Sequence, residues 1–96
     1  MKKVVVLTFA LLSMGSVQAA QDPEAVFNRS CGMCHNGQLP TAPKKGDAAA
    51  WQPRLAQGTD TLVKHVTEGF NAMPARGLCM DCTAEDYKAV IDWMSK

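Results

Sequence analysis

The chain has 96 residues, with ten Lys and Arg against nine Asp and Glu, and four cysteines. That length holds one domain at most, and the near balance of charge lacks the basic face that nucleic acid requires. A domain this small buries only about 60% of its unfolded surface, so it needs a disulfide, a metal or a bound group to complete its core.

Residues 1–19 read as a secretory leader. Lys2 and Lys3 precede an apolar or small run from Val4 to Leu12, and Val17 and Ala19 are the small residues that a signal peptidase recognises. The run is about half of the roughly 20 residues that a membrane span needs. No cysteine stands at the cleavage site to take a lipid. Cleavage leaves residues 20–96 as one domain, exported to the periplasm, with eight basic and nine acidic side chains. No second hydrophobic stretch follows, so no membrane insertion is expected after cleavage.

The remaining chain reads as helices and loops. Asp22, Pro23 and Glu24 form a helix start that leads through "AVFNRS" into the first cysteine. From Asn36 to Gly46, proline and glycine exclude a regular element. Asp47 caps a short helix over "AAAW", which Pro53 is expected to disturb at once. Thr59 or Asp60 opens the next helix, with Leu62, Val63, Val66 and Phe70 at helical spacing and Gly69 and Asn71 at its end. "NAMPARGLCMDC" is a second irregular loop. Thr83 and Asp86 then resemble a capping box ahead of an apolar stripe of Tyr87, Val90, Ile91 and Met94. No segment alternates with a period of two, so the predicted class is all-α, with no repeats and no linker.

Cys31-Gly32-Met33-Cys34-His35 is the attachment signature of a c-type haem. Each thiol adds to one vinyl group of the porphyrin, and the adjacent histidine is held beneath the iron as its proximal ligand. Gly32 is expected to let the turn between the sulfurs form without a Cβ clash. Other uses of the cysteines fit less well. A zinc ribbon spaces its two pairs by roughly 15 to 20 residues, whereas 44 separate Cys34 from Cys79. A thioredoxin-like pair would need strands around it, and a plain disulfide at Cys31 and Cys34 leaves His35 unexplained.

The iron has a second axial position, for which Met33, Met73, Met80, Met94 and His65 are candidates, along with no ligand at all. Met73 is the best placed, because Pro74 holds it extended in a loop. Met33 lies inside the attachment turn, and Met94 falls on the apolar stripe of the last helix. Met80, between two cysteines, is the main methionine rival. His65 sits about 110° from the centre of its helix's apolar face and is expected at the boundary or in solvent.

The run from Cys31 to Met94 resembles a class I c-type cytochrome, in particular the small bacterial cytochrome c5 group. The markers are the CxxCH motif, the segment from Ala42 to Arg54 of pattern "AP..GD...W..R", the "G..AMP" loop from Gly69 to Pro74, and the Cys79–Cys82 pair before the final helix. The resemblance implies a class I cytochrome fold of about four short helices around one haem. It implies thioether bonds at Cys31 and Cys34, a proximal bond from His35 Nε2 and a distal one from the Met73 sulfur. It implies that the Pro43 carbonyl orients His35, and that Trp51 and Arg54 lie near the haem propionates. Trp51 as simple core packing stands beside that implication, as does Arg54 as an exposed side chain. In the c5-like group Cys79 and Cys82 form a disulfide, and Thr83 stands where a second attachment motif would need its histidine.

The expected function is single-electron transfer between redox proteins, such as a respiratory oxidase, reductase or dehydrogenase, by a monomer or weak dimer that is not an enzyme. Lys44, Lys45, Lys64 and Arg76 are either a ring around the haem edge or ordinary solvated surface. An open sixth position, giving peroxidase-like or gas-binding chemistry, and a four-cysteine zinc module are the alternatives.

Overall fold

The computed structural model describes residues 19–96; the expected leader, apart from Ala19, lies outside them. Four helices follow one another. The first, α1, is continuous over 23–35 and has three parts: a turn of α-helix at Pro23–Val26, a π-helical stretch at Phe27–Cys31 and a second α turn at Gly32–His35. Then come α2 (Ala48–Leu55), α3 (Thr59–Glu68), a tight 3₁₀ turn at Ala75–Leu78, and α4 (Ala84–Met94). Among the described residues there is no strand, only an isolated bridge between Phe70 and Met73.

Local chemistry sets these boundaries. Pro23 opens α1 where a missing N–H costs nothing. The π stretch comes from one wider turn, in which the Gly32 N–H reaches back five residues to the Phe27 carbonyl. Gly32 itself has ordinary helical angles, φ −63°, so it is not needed to shape the turn. What it supplies is room, since a Cβ there would sit 3.0 Å from the Phe27 carbonyl oxygen and 3.1 Å from its ring. The Asp47 carboxylate accepts from the Ala50 N–H and caps α2. Contrary to expectation, α2 runs on through Pro53 to Leu55. The proline forfeits one bond, to Ala49, and Trp51 fixes the turn before it by donating its backbone N–H to Asp47 and its indole N–H to Lys44. Gly58 and Gly69 bracket α3 at φ 97° and 88°, a region that favours glycine. The Thr83–Asp86 capping box is formed in both directions at the start of α4.

The core lies where α4 packs on α1 and α3. Val26 and Phe27 from α1, Leu62 from α3 and Tyr87, Val90, Ile91 and Met94 from α4 are buried together with Trp51. The Phe27 and Trp93 rings meet at 5.2 Å, and the Lys45 ammonium lies 4.2 Å from the Trp93 ring centre. Lys45 is therefore held against an aromatic face. The loop after α1 is tied at two points, by Lys45 N–H to the His35 carbonyl and Gly46 N–H to the Met94 carbonyl, each 2.8 Å. Ahead of α1, Gln21 gives its backbone N–H to Asp86 at 2.7 Å and its side-chain amide to the same carboxylate at 3.0 Å. No helix among the described residues is long and apolar enough to cross a membrane.

Candidate functional site

The four core elements leave a cleft of about 600 Å³ between α1 and the loop that follows α3, within the range of sites that enclose small organic ligands. Cys31, Cys34 and His35, at the end of α1, line it. Met73, Pro74 and Gly77 line it from the loop after α3, and Leu62, Val66, Ile91 and Met94 contribute to its apolar walls. The wide turn of α1 shapes the segment that presents the two cysteines and His35 to this cleft.

His35 is 8% exposed, and its Nδ1 lies 2.8 Å from the Pro43 carbonyl oxygen. A carbonyl only accepts, so Nδ1 carries a proton, and in the neutral ring the lone pair is left on Nε2. That tautomer suits a metal ligand. The sulfurs of Cys31 and Cys34 are not joined to each other. Burial pushes the Cys31 thiol up from its ordinary value, against the smaller opposing pull of a backbone hydrogen bond and Arg29.

Met73 is placed by a tight turn. Phe70 and Met73 exchange backbone hydrogen bonds at 3.0 and 2.9 Å, with Asn71 in the left-handed region at φ 52°. Pro74 continues in the extended conformation at ψ 156°. The chain then passes through three consecutive left-handed residues, Arg76, Gly77 and Leu78. At Gly77 a Cβ would lie 3.1 Å from the Met73 methyl carbon, so this glycine leaves room for the methionine side chain. Cys79 and Cys82 are joined as a disulfide with Cα atoms 5.4 Å apart, and the buried Tyr87 hydroxyl donates to the Cys79 carbonyl at 3.0 Å.

Trp51 and Arg54 both line the cleft. The indole N–H of Trp51 donates to the Lys44 carbonyl at 2.9 Å. Arg54 is half-buried rather than exposed, and one of its nitrogens donates to the Ala50 carbonyl at 2.6 Å. His65 stands at the boundary, as one of the two expected placements: it is half-buried, lines the cleft, and stacks on Phe70 with ring centres 4.0 Å apart. Of the other methionines, Met33 and Met80 are 63% and 69% exposed, and Met94 is buried. Lys45 is occupied by Trp93, and Arg76 donates to the Met80 carbonyl.

An apolar cleft with two thiols and an oriented imidazole on one side and a thioether on the other fits a covalently attached haem. Comparison with known proteins agrees. Cytochrome c5 of Azotobacter vinelandii is 41% identical over 78 residues, covering 79% of this chain and 94% of that protein. The chain belongs to the cytochrome c5 family. Cytochrome c5 of Ectopseudomonas mendocina is 35% identical over 84% of the chain and 92% of its own length. A family model described as cytochrome c oxidase, cbb3-type, subunit III matches residues 18–94. Among solved structures, a mono-haem ferrocytochrome c from Shewanella putrefaciens is 53% identical, with a TM-score of 0.71 over 82% of this chain and 98% of that one. The cytochrome c from an electron-transfer complex with nitrite reductase is 35% identical, with a TM-score of 0.70 over 79% of this chain and 94% of that one. This cytochrome is thus an all-α electron carrier with one covalently bound haem c, and it is not an enzyme.

Proposed function

We propose that this cytochrome is a periplasmic one-electron shuttle. In this reading Cys31 and Cys34 would attach the haem, His35 Nε2 and the Met73 sulfur would hold its iron, and residues 1–19 would be removed on export. The observation that carries the proposal is the convergence of those four side chains on one cleft of about 600 Å³. Haem supplies a single chemistry there, the exchange of one electron between ferric and ferrous iron.

The side chains determine how that exchange proceeds. His35 is held in one tautomer by Pro43 and needs no rearrangement to bind a metal. Met73 offers a neutral sulfur, which favours the ferrous state and raises the potential. With the His35 nitrogen and the Met73 sulfur both holding the iron, no site would be left for oxygen or a substrate. Leu62, Val66, Ile91 and Met94 keep water from the buried side, and Arg54 retains N–H donors for a carboxylate at the margin. A Cys79–Cys82 bridge in the mature protein suits an oxidising compartment.

The partners are redox proteins such as a respiratory oxidase, reductase or dehydrogenase. The likeness to a cytochrome c bound to nitrite reductase supports a reductase among them. Phe70 and Leu78, both 50% exposed and both on the cleft, provide an apolar rim for a transient interface.

The test is to express the chain with its leader in a host that attaches haem. The protein is expected in the periplasmic extract, with a pyridine spectrum of covalent haem and a far-red sulfur-to-iron band when oxidised. Met73→Ala should lose that band and bind carbon monoxide after reduction. Carbon monoxide binding by the reduced wild type, or a colourless zinc-loaded product, overturns the proposal.

A further inference from the structure

Trp51 does more in this structure than fill the core. It is 4% exposed, and its indole lies along the His35 ring with centroids 5.8 Å apart and planes 24° apart. It also reaches the loop that orients His35. Two consecutive peptide units of that loop are held from both sides. The first presents the Pro43 carbonyl to His35 Nδ1 at 2.8 Å. The second, between Lys44 and Lys45, accepts the Trp51 indole N–H on its oxygen at 2.9 Å and donates its own N–H to the His35 backbone carbonyl at 2.8 Å. Asp47 N–H adds a further bond to the Lys44 carbonyl at 3.0 Å.

We propose that Trp51 is a positioning residue for His35: through the Lys44 carbonyl and the ring stack it holds the Pro43 carbonyl and the imidazole in register, and so sets the donor strength of Nε2. Pro43 contributes stiffness, because its φ is fixed by its ring. The remaining freedom of the loop lies in the rotation of the Lys44–Lys45 peptide, and that is the unit Trp51 grips. A hydrogen bond from the far ring nitrogen makes a ligating imidazole a stronger donor. A stronger donor favours ferric over ferrous iron. Releasing the peptide therefore weakens the Nδ1–H bond and shifts the balance toward the ferrous state.

This rests on His35 as an axial ligand. The experiment uses the haem-loaded protein in two forms, wild type and Trp51→Phe, which keeps a stacked ring but has no N–H. In the reduced, diamagnetic state, proton NMR follows exchange of the His35 Nδ1–H with deuterium, and voltammetry gives the ferric–ferrous balance. Trp51→Phe should exchange that proton at least about tenfold faster. It should also shift the balance toward ferrous iron by about threefold to tenfold, tenfold being about 59 mV for one electron. A purely structural role would lower the melting temperature and leave both values unchanged, and that result overturns the proposal.

If the variant does not take up haem, the wild type alone decides. One opening event should release both ring protons, so the Trp51 Nε1–H and the His35 Nδ1–H are expected to exchange within about threefold of each other. A Trp51 proton more than about tenfold faster overturns the coupling. Failure here leaves the two-ligand spectrum intact, whereas failure of the reading beneath it removes that spectrum from the wild type.

Discussion

Gly32 and Asp86 show how much single residues determine here beyond their sequence pattern. A glycine between two cysteines suggests a turn that a side chain would block. Its angles are in fact helical, and the constraint is the Phe27 carbonyl and ring against it, a contact created by a π turn with no signature in the residue types. Gly32→Ala should therefore destabilise the protein by about 1–3 kcal/mol through overpacking, read from thermal melts. Asp86 was legible as a cap, but its second role was not. Besides the Thr83 N–H, its carboxylate accepts two bonds from Gln21, 65 residues away, and no local pattern encodes so distant a partner. The Thr83 N–H first, and then Gln21 against the opposing effect of burial, hold this carboxyl below the usual carboxylate range. A lowered value in the folded state stabilises above the unfolded value of about 3.9, and the benefit disappears as pH falls through the folded value. Asp86→Asn should cost about 1–3 kcal/mol at neutral pH. In urea melts the gap from wild type should stay constant down to about pH 4 and close only in stronger acid.

At the scale of elements, helices with strong ends were readable and the segments between them less so. α3 and α4 carry glycines, a capping box and regular apolar spacing, and each formed close to where those signals stand. α2 outran its proline, with Trp51 fixing the preceding turn through Asp47 and through an indole bond to Lys44 in the loop ahead of the helix, a side-chain bond that the residue types alone do not announce. The loop from Asn71 to Leu78 was recognisable as irregular, but not as a place where Arg76 and Leu78 occupy the left-handed region. Such residues cost of order 1 kcal/mol or more each and persist only where their surroundings hold them. The disulfide and the Tyr87 bond to Cys79 stand directly after this stretch. Replacing both Cys79 and Cys82 by serine should lower stability by no more than about 1.9 kcal/mol, the chain-entropy value for a four-residue loop, with the far-red band retained because Met73 has its own turn. Calorimetry and the oxidised spectrum check the two halves of that statement.

On the scale of the whole molecule, the cleft takes the place of a continuous core. The buried apolar residues form one cluster around α4, and the space between α1 and the Met73 loop is lined largely by apolar side chains, among them Leu62, Val66, Ile91 and Met94. Every 100 Å² of apolar surface covered there contributes about 2.5 kcal/mol, more than the disulfide supplies. Cys31→Ala with Cys34→Ala, made in the full chain, should therefore give a protein without cooperative thermal unfolding, followed by far-UV circular dichroism. The CxxCH motif made this dependence readable from the sequence, because it names the group that fills the space. The role of His65 on the cleft wall was not readable, because helical periodicity gives a direction around an axis and not what stands opposite. Charge acts weakly at this scale: the sign balance is close to even, so electron transfer with a partner should change by less than about threefold between 50 and 200 mM salt, measured by stopped flow. The Gln21 tether has a practical consequence for anyone preparing this protein. Because that residue's backbone is clasped by the last helix, a purification handle inserted after the leader, directly ahead of Gln21, would pull on a joint that helps close the structure, whereas Lys96 at the other end is exposed.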